Sequence, residues 1–149
     1  MNQNKDLIHE LKNLFQTRKF AVLATQRKTS PHASLVAFII TDDLKNLFFA
    51  TERSTRKFKN MESNPKVAVL IDNRSNRELD FENAIAVTVF GTAVKPPFSD
   101  PGKLLQVYLD KYPKLQSFIH ANDTAFVQVQ IEKYSIVSQF QNVREYIPG

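Results

Sequence analysis

From Phe20 onward the chain consists largely of short β-patterned runs, and this narrows its fold more than any other feature. Segments rich in Val, Ile, Phe and Thr fall at about 20–26, 33–41, 46–51, 66–72, 84–95, 124–132 and 134–141, separated by turn residues. In residues 126–132 the alternation is clean, with Val127, Val129 and Ile131 set against Gln128, Gln130 and Glu132. Such a strand has one dry and one wet face. Ahead of the strands, Leu7, Ile8, Leu11, Leu14 and Phe15 share one face of an amphipathic helix. Two further helices are predicted. One spans 54–62, opening at the N-cap residue Ser54 and ending before Asn64-Pro65; the other spans 101–112, from Pro101 to Tyr112-Pro113. A short helix at 114–121 is also predicted. Seven strands, three or four helices, short links and no repeat predict a mainly β, α+β fold: an antiparallel barrel of six to seven strands carrying helices. Residues 1–149 read as one domain.

Composition removes several kinds of chemistry. The chain has no cysteine, which excludes disulfides, a thiolate nucleophile, iron–sulfur clusters and Cys-based zinc sites. His9, His32 and His120 are far apart and form no metal-ligand motif, so no metal is expected. The longest apolar run, Leu35 to Ile40, is far shorter than the roughly 20 residues of a membrane helix. The first ten residues carry Asp6 and Glu10 and lack the apolar stretch of a secretory signal. The expectation is a soluble, cytoplasmic protein.

The net charge of +5 is unevenly spread, with 11 Lys/Arg against 5 Asp/Glu in residues 1–60. Its densest part is Arg53-Ser54-Thr55-Arg56-Lys57-Phe58-Lys59, where an apolar strand ends and a helix begins. A helix start presents unpaired N–H groups and the positive end of the macrodipole. With the hydroxyls of Ser54 and Thr55 and the cations of Arg53, Arg56 and Lys57, it suits a phosphate. On charge alone a solvated basic turn is the favoured reading over an anion site, whose anion would be a phosphate-bearing small molecule, nucleic acid or an acidic surface.

Several pieces in order, Leu23-Ala24-Thr25, Pro31-His32-Ala33-Ser34-Leu35-Val36, Phe49-Ala50-Thr51, Thr55-Arg56-Lys57, Asn64-Pro65-Lys66-Val67 and Val87-Thr88-Val89-Phe90-Gly91-Thr92-Ala93, resemble the pyridoxamine-5'-phosphate-oxidase-like FMN-binding split barrels. The match covers about residues 20–93; beyond Lys95 only the helix-then-strands outline is shared. The resemblance implies a split barrel that binds FMN. It makes Ser34 a phosphate or ribityl contact. Ala50 becomes a further cofactor contact, Thr51 and Thr55 become hydroxyl donors, and Arg56 and Lys57 neutralise the phosphate. It sets the backbone of Leu35, Val36 and Ala37 along the isoalloxazine edge. Arg74 and Asn76, in the polar segment 71–77, are further candidate contacts, and an ordinary polar loop explains them equally well. The family also implies a homodimer with flavin sites at the subunit interface.

The departures are informative. Ser34 and Ile39 stand where true pyridoxamine phosphate oxidases carry arginine and lysine, and residues 141–146 hold no counterpart of their Arg-x-His element. The expectation is therefore an FMN-dependent oxidoreductase that does not oxidise pyridoxamine phosphate. It would move hydride or electrons between a small-molecule donor and an acceptor, with no side chain assigned as catalytic. The alternatives are a flavin-binding carrier or redox sensor without turnover, and a basic barrel for nucleic acid. The last gains little, because stacking aromatic motifs are not evident in the sequence.

Overall fold

The computed structural model describes residues 2–94 and 101–149. Helix α1 (Asn2–Thr17) precedes strands β1 (Phe20–Arg27), β2 (Ser30–Ile40) and β3 (Asn46–Glu52). Helix α2 (Arg56–Ser63), β4 (Lys66–Asp72), the single turn α3 (Asp80–Asn83) and β5 (Ile85–Val94) follow. Then come α4 (Pro101–Lys111), a 3-10 turn (Pro113–Leu115), α5 (Gln116–Ile119), β6 (Thr124–Ser138) and β7 (Asn142–Tyr146). The strand order is β3-β2-β1-β4-β5-β6-β7, and β3 also pairs with β6. Every pairing is antiparallel, so six strands close into a barrel and β7 adds to its side.

The barrel interior is filled by alternate residues: Leu23 on β1, Phe38 on β2, Leu47 and Phe49 on β3, Val69 and Ile71 on β4, and Val87 and Val89 on β5. Helix α1 closes one end with Leu7, Leu11, Leu14 and Phe15, whose ring stacks on Tyr134 at 5.8 Å. A second, smaller core lies under α4, where Tyr108 and Tyr112 cover Ile39, Phe48 and Ala50 on the outer face of β2 and β3.

The expected strands at 124–132 and 134–141 are one strand, β6, followed by a turn and the unexpected strand β7. The cause is a bulge. Phe90 pairs with Lys133 and Gly91 with Ile131, which leaves Glu132 as the extra residue. Its carboxylate accepts hydrogen bonds from Thr92 Oγ1 (2.8 Å) and Lys66 Nζ (3.0 Å). The Thr92 hydroxyl, and after it the Lys66 ammonium, hold that carboxyl below its usual range. The inward phase therefore shifts from Ile131 to Tyr134, which mimics a strand break in the sequence. Gln139 and Phe140, both at positive φ, then reverse the chain. The expected helix at 54–62 begins two residues later, because Thr55 rather than Ser54 caps it. The short helix expected at 114–121 is a 3-10 turn followed by the single turn α5. Of the strand expected at 84–95, Lys95 lies outside the described residues.

Lys111 ends α4 with its ammonium donating to Phe15 O (2.8 Å) and Phe38 O (3.3 Å), and it lies 4.4 Å from the centroid of the Phe38 ring. Burial, and then the charge of Lys19, lower its pKa from 10.5 to about 8. Between those values the unfolded chain holds more protons than the folded one, so this group's contribution to stability rises with pH. Below pH 8 its desolvation cost is fully present. The unfolding free energy of wild type relative to Lys111→Met should therefore increase from pH 7.5 to pH 10 in urea titrations. A flat difference would mean that the amine is as well solvated folded as unfolded.

Candidate functional site

The barrel is split where β2 and β3 part. Their pairing runs only from Ile40 and Leu47 to Phe38 and Phe49. Beyond that point Ala50, Thr51 and Glu52 pair with β6 on their other side, while Ser34, Leu35, Val36 and Ala37 pair with β1. The β2 edge facing the split is thus a stretch of backbone without a strand partner, and open edges are ready-made hydrogen-bonding surfaces. The hydroxyl of Tyr108 bridges the first gap, donating to Ala37 O (2.8 Å) and accepting from Ala50 N (3.3 Å). The hydroxyl of Tyr112 accepts from Phe38 N (3.0 Å), with the Phe38 and Lys19 carbonyls at 2.6 and 2.7 Å. Burial raises both phenol pKa values, that of Tyr108 to about 12, so both hydroxyls keep their protons at neutral pH. Tyr108→Phe should cost about 1–3 kcal/mol by stranding a buried N–H and C=O. It should also speed amide exchange at Ala50; unchanged exchange there would mean that this hydroxyl does not hold the split.

Helix α2 begins beside this split. The Thr55 side chain accepts from Phe58 N (3.4 Å) as the cap and donates to Glu52 O (2.7 Å). Thr51, buried on the inward face of β3, lies with its hydroxyl 3.3 Å from that of Thr55. Arg56 is exposed and Lys57 half-buried. Arg53 is committed elsewhere: its guanidinium donates to Asn122 O (3.2 Å) and Thr124 O (3.0 Å), and so ties the turn to the start of β6. Ser54 N faces Asp123 Oδ2 at 3.3 Å.

Inside this end of the barrel a set of polar side chains replaces the apolar core. Thr25 pairs across the ladder with His32, and Asn60 of α2 donates to Thr25 Oγ1 at 3.1 Å. Ser34 Oγ, His32 Nδ1 and Asn60 Oδ1 are buried without hydrogen-bond partners. Buried polar atoms normally find partners, and each unmet one is costly. Three of them together at the mouth of a split suit a ligand with several hydrogen-bonding groups, and with Arg56 and Lys57 alongside they suit an anionic one. The ion pairs among the described residues involve neither Arg56 nor Lys57.

The structure thus brings together Ser34, Leu35, Val36, Ala37, Ala50, Thr51, Thr55, Arg56 and Lys57 around the split and the start of α2. It sets Arg74 and Asn76 apart, within this chain, in the β4–β5 connection. The strand registers put that connection at the end of the barrel opposite the β1–β2 hairpin. There Arg74 pairs with Asp72 (2.7 Å), and the Asn76 N–H donates to Asp80 (2.8 Å). Sequence reasoning missed Tyr108, Tyr112 and Asn60. The tyrosines, four apart ahead of Pro113, share one helix face, and Asn60 interrupts the apolar positions Phe58 and Met61. Among the described residues no group of three or more His, Asp or Glu could hold a metal, and no helix is long and apolar enough to cross a membrane.

A six-stranded antiparallel barrel, opened between β2 and β3 and carrying a capped cationic helix at the opening, is a split barrel. The family model described as pyridoxamine 5'-phosphate oxidase matches residues 7–138, and the chain belongs to that family. Comparison with curated protein sequences returns no match. Among solved structures, the chain is similar to a haem-binding protein from Mycobacterium smegmatis, with a TM-score of 0.82 and 15% identity over 95% of this chain and 57% of that one. It is similar to HutZ, the haem storage protein of Vibrio cholerae, with a TM-score of 0.71 and 17% identity over 95% and 94% of the two chains. A FAD-binding protein from Mesorhizobium loti gives a TM-score of 0.67 and 19% identity over 86% and 90%. This chain therefore spans 57% of the length of the Mycobacterium protein, and at these identities the likenesses establish the fold alone.

Proposed function

We propose that this protein binds a flavin nucleotide through its FMN portion at the split and serves as an oxidoreductase for a small-molecule donor and acceptor. The observation that carries the reading is the β2 edge at residues 34–37, without a strand partner on the side of the split and held there by a side chain only at Ala37 O, beside the buried, unsatisfied Ser34 hydroxyl and the cationic start of α2. Backbone N–H and C=O groups along that edge can read the pyrimidine side of a ring without special side chains. Arg56, Lys57 and the first amides of α2 offer a phosphate charge-assisted hydrogen bonds. The flavin, when bound, supplies hydride or electron transfer; the chain fixes its phosphate and orients its ring.

A homodimer fits the same reading. Phe20 and Leu35, diagonal neighbours on the outward face of β1 and β2, are 66% and 69% exposed. A second copy laid on that face would cover both and enclose the ring edge between subunits. The deciding observation is the absorption spectrum of the purified protein, with the released ligand identified by mass. A flavin spectrum supports the reading, and NADH or NADPH oxidation then separates an enzyme from a carrier or sensor. A haem spectrum, or a colourless protein that refuses added FMN, overturns it.

A further inference from the structure

The β1–β2 hairpin and α2 enclose a groove of about 300 Å³ whose lining includes Arg27, Lys28, His32, Arg56 and Asn60 and no acidic residue. The hairpin turns tightly: Arg27 pairs with Ser30, and Lys28 takes a left-handed conformation at φ 53°. The ion pairs among the described residues involve none of Arg27, Lys28 and Arg56. Two buried polar groups line this groove with one end unmet. Asn60, only 1% exposed, spends one amide end on Thr25 and leaves the other unpaired, and His32 leaves Nδ1 unpaired. Because the Thr25 hydroxyl can donate as readily as accept, the Asn60 amide can turn over and offer its N–H to a ligand. The His32 tautomer protonated at Nδ1 does the same.

The position of the groove gives it meaning. On the reading proposed above, the ring lies along residues 35–37 and the phosphate near Ser34 and Arg56. Continuing down β2 in the same direction, His32 follows Ser34 on the same face about 7 Å on, at the usual strand rise. Arg27 and Lys28 lie just past it, and Arg56 lines the groove as well as the phosphate position. We propose that the groove is a second anion subsite continuing the flavin's phosphate tail, so that the site prefers a diphosphate-linked flavin dinucleotide to the mononucleotide. This rests on the flavin reading and adds to it a prediction about tail length.

The test titrates the full-length protein with FMN and with FAD, by flavin fluorescence or calorimetry. FAD should bind at least tenfold more tightly than FMN. The variant Arg27→Gln with Lys28→Asn, chosen because asparagine tolerates the left-handed turn, should bring the two affinities within twofold. The affinity for FMN should itself move less than twofold in that variant. If FMN binds as tightly as FAD, or if the variant weakens both flavins equally, the second subsite is overturned while the flavin reading stands. If neither flavin binds, both fall together.

Discussion

Gly91→Ala should destabilise the fold by about 3 kcal/mol, at the upper end of what overpacking usually costs. A methyl group at position 91 would overlap the Gln130 carbonyl oxygen and come within 2.7 Å of Val129 Cγ1. The first obstacle is backbone, held in the β5–β6 ladder on both sides of the bulge, so no side-chain rotation relieves it. The β3–β6 pairing uses the same stretch of β6, with Leu47 opposite Val129 and Asn46 opposite Gln130. Displacing Gln130 therefore strains two ladders at once. In a chain of this size the melting temperature should fall by about 6–12 °C. Gly149→Ala, which meets nothing within 4 Å, should be silent and serves as the control. A melting point within 2 °C of wild type for Gly91→Ala would show that the ladder opens without cost.

Thr55→Ala combined with Lys57→Ala should weaken FMN affinity at least tenfold. A charge-assisted hydrogen bond from a lysine contributes about 1.5–3 kcal/mol, and Lys57 has no ion-pair partner among the described residues to share its charge. Thr55 carries a second role as cap of α2, through Phe58 N. Its loss should cost about 1 kcal/mol of stability on its own account. Stability and binding are therefore measured on both single variants as well. Lys57→Ala should leave the melting curve in place and carry most of the loss in affinity. Titrated flavin fluorescence showing wild-type affinity in the double variant would remove the phosphate from this helix start.

Much of this molecule was legible before its structure. The strand segments at 20–26, 46–51 and 66–72 stand within one residue of their observed bounds. Alternation of period two dominates there, and turn residues bound each run. The segments that misled are those where two partners compete. Residues 132–133 break the alternation as a strand end would, but the break is a bulge that lets one long strand serve β3, β5 and β7. The basic turn was visible as charge, yet charge could not tell a structural cation from a free one. Arg53 proves to be bound to two carbonyls, whereas Arg56 lines an open groove.

Local chemistry alone settled which segments alternate, where α2 must stop, and that thiols play no part. Those properties follow from side-chain period, from proline and from composition, all of which act over a few residues. The split between β2 and β3 could come only from the assembled barrel. It depends on β6 drawing the end of β3 away from β2 while Tyr108, 58 residues further along the chain than Ala50, spans the gap. Contacts of that separation leave no periodic trace in a sequence, because loop closure joins residues whose own neighbourhoods carry no mark of the partner.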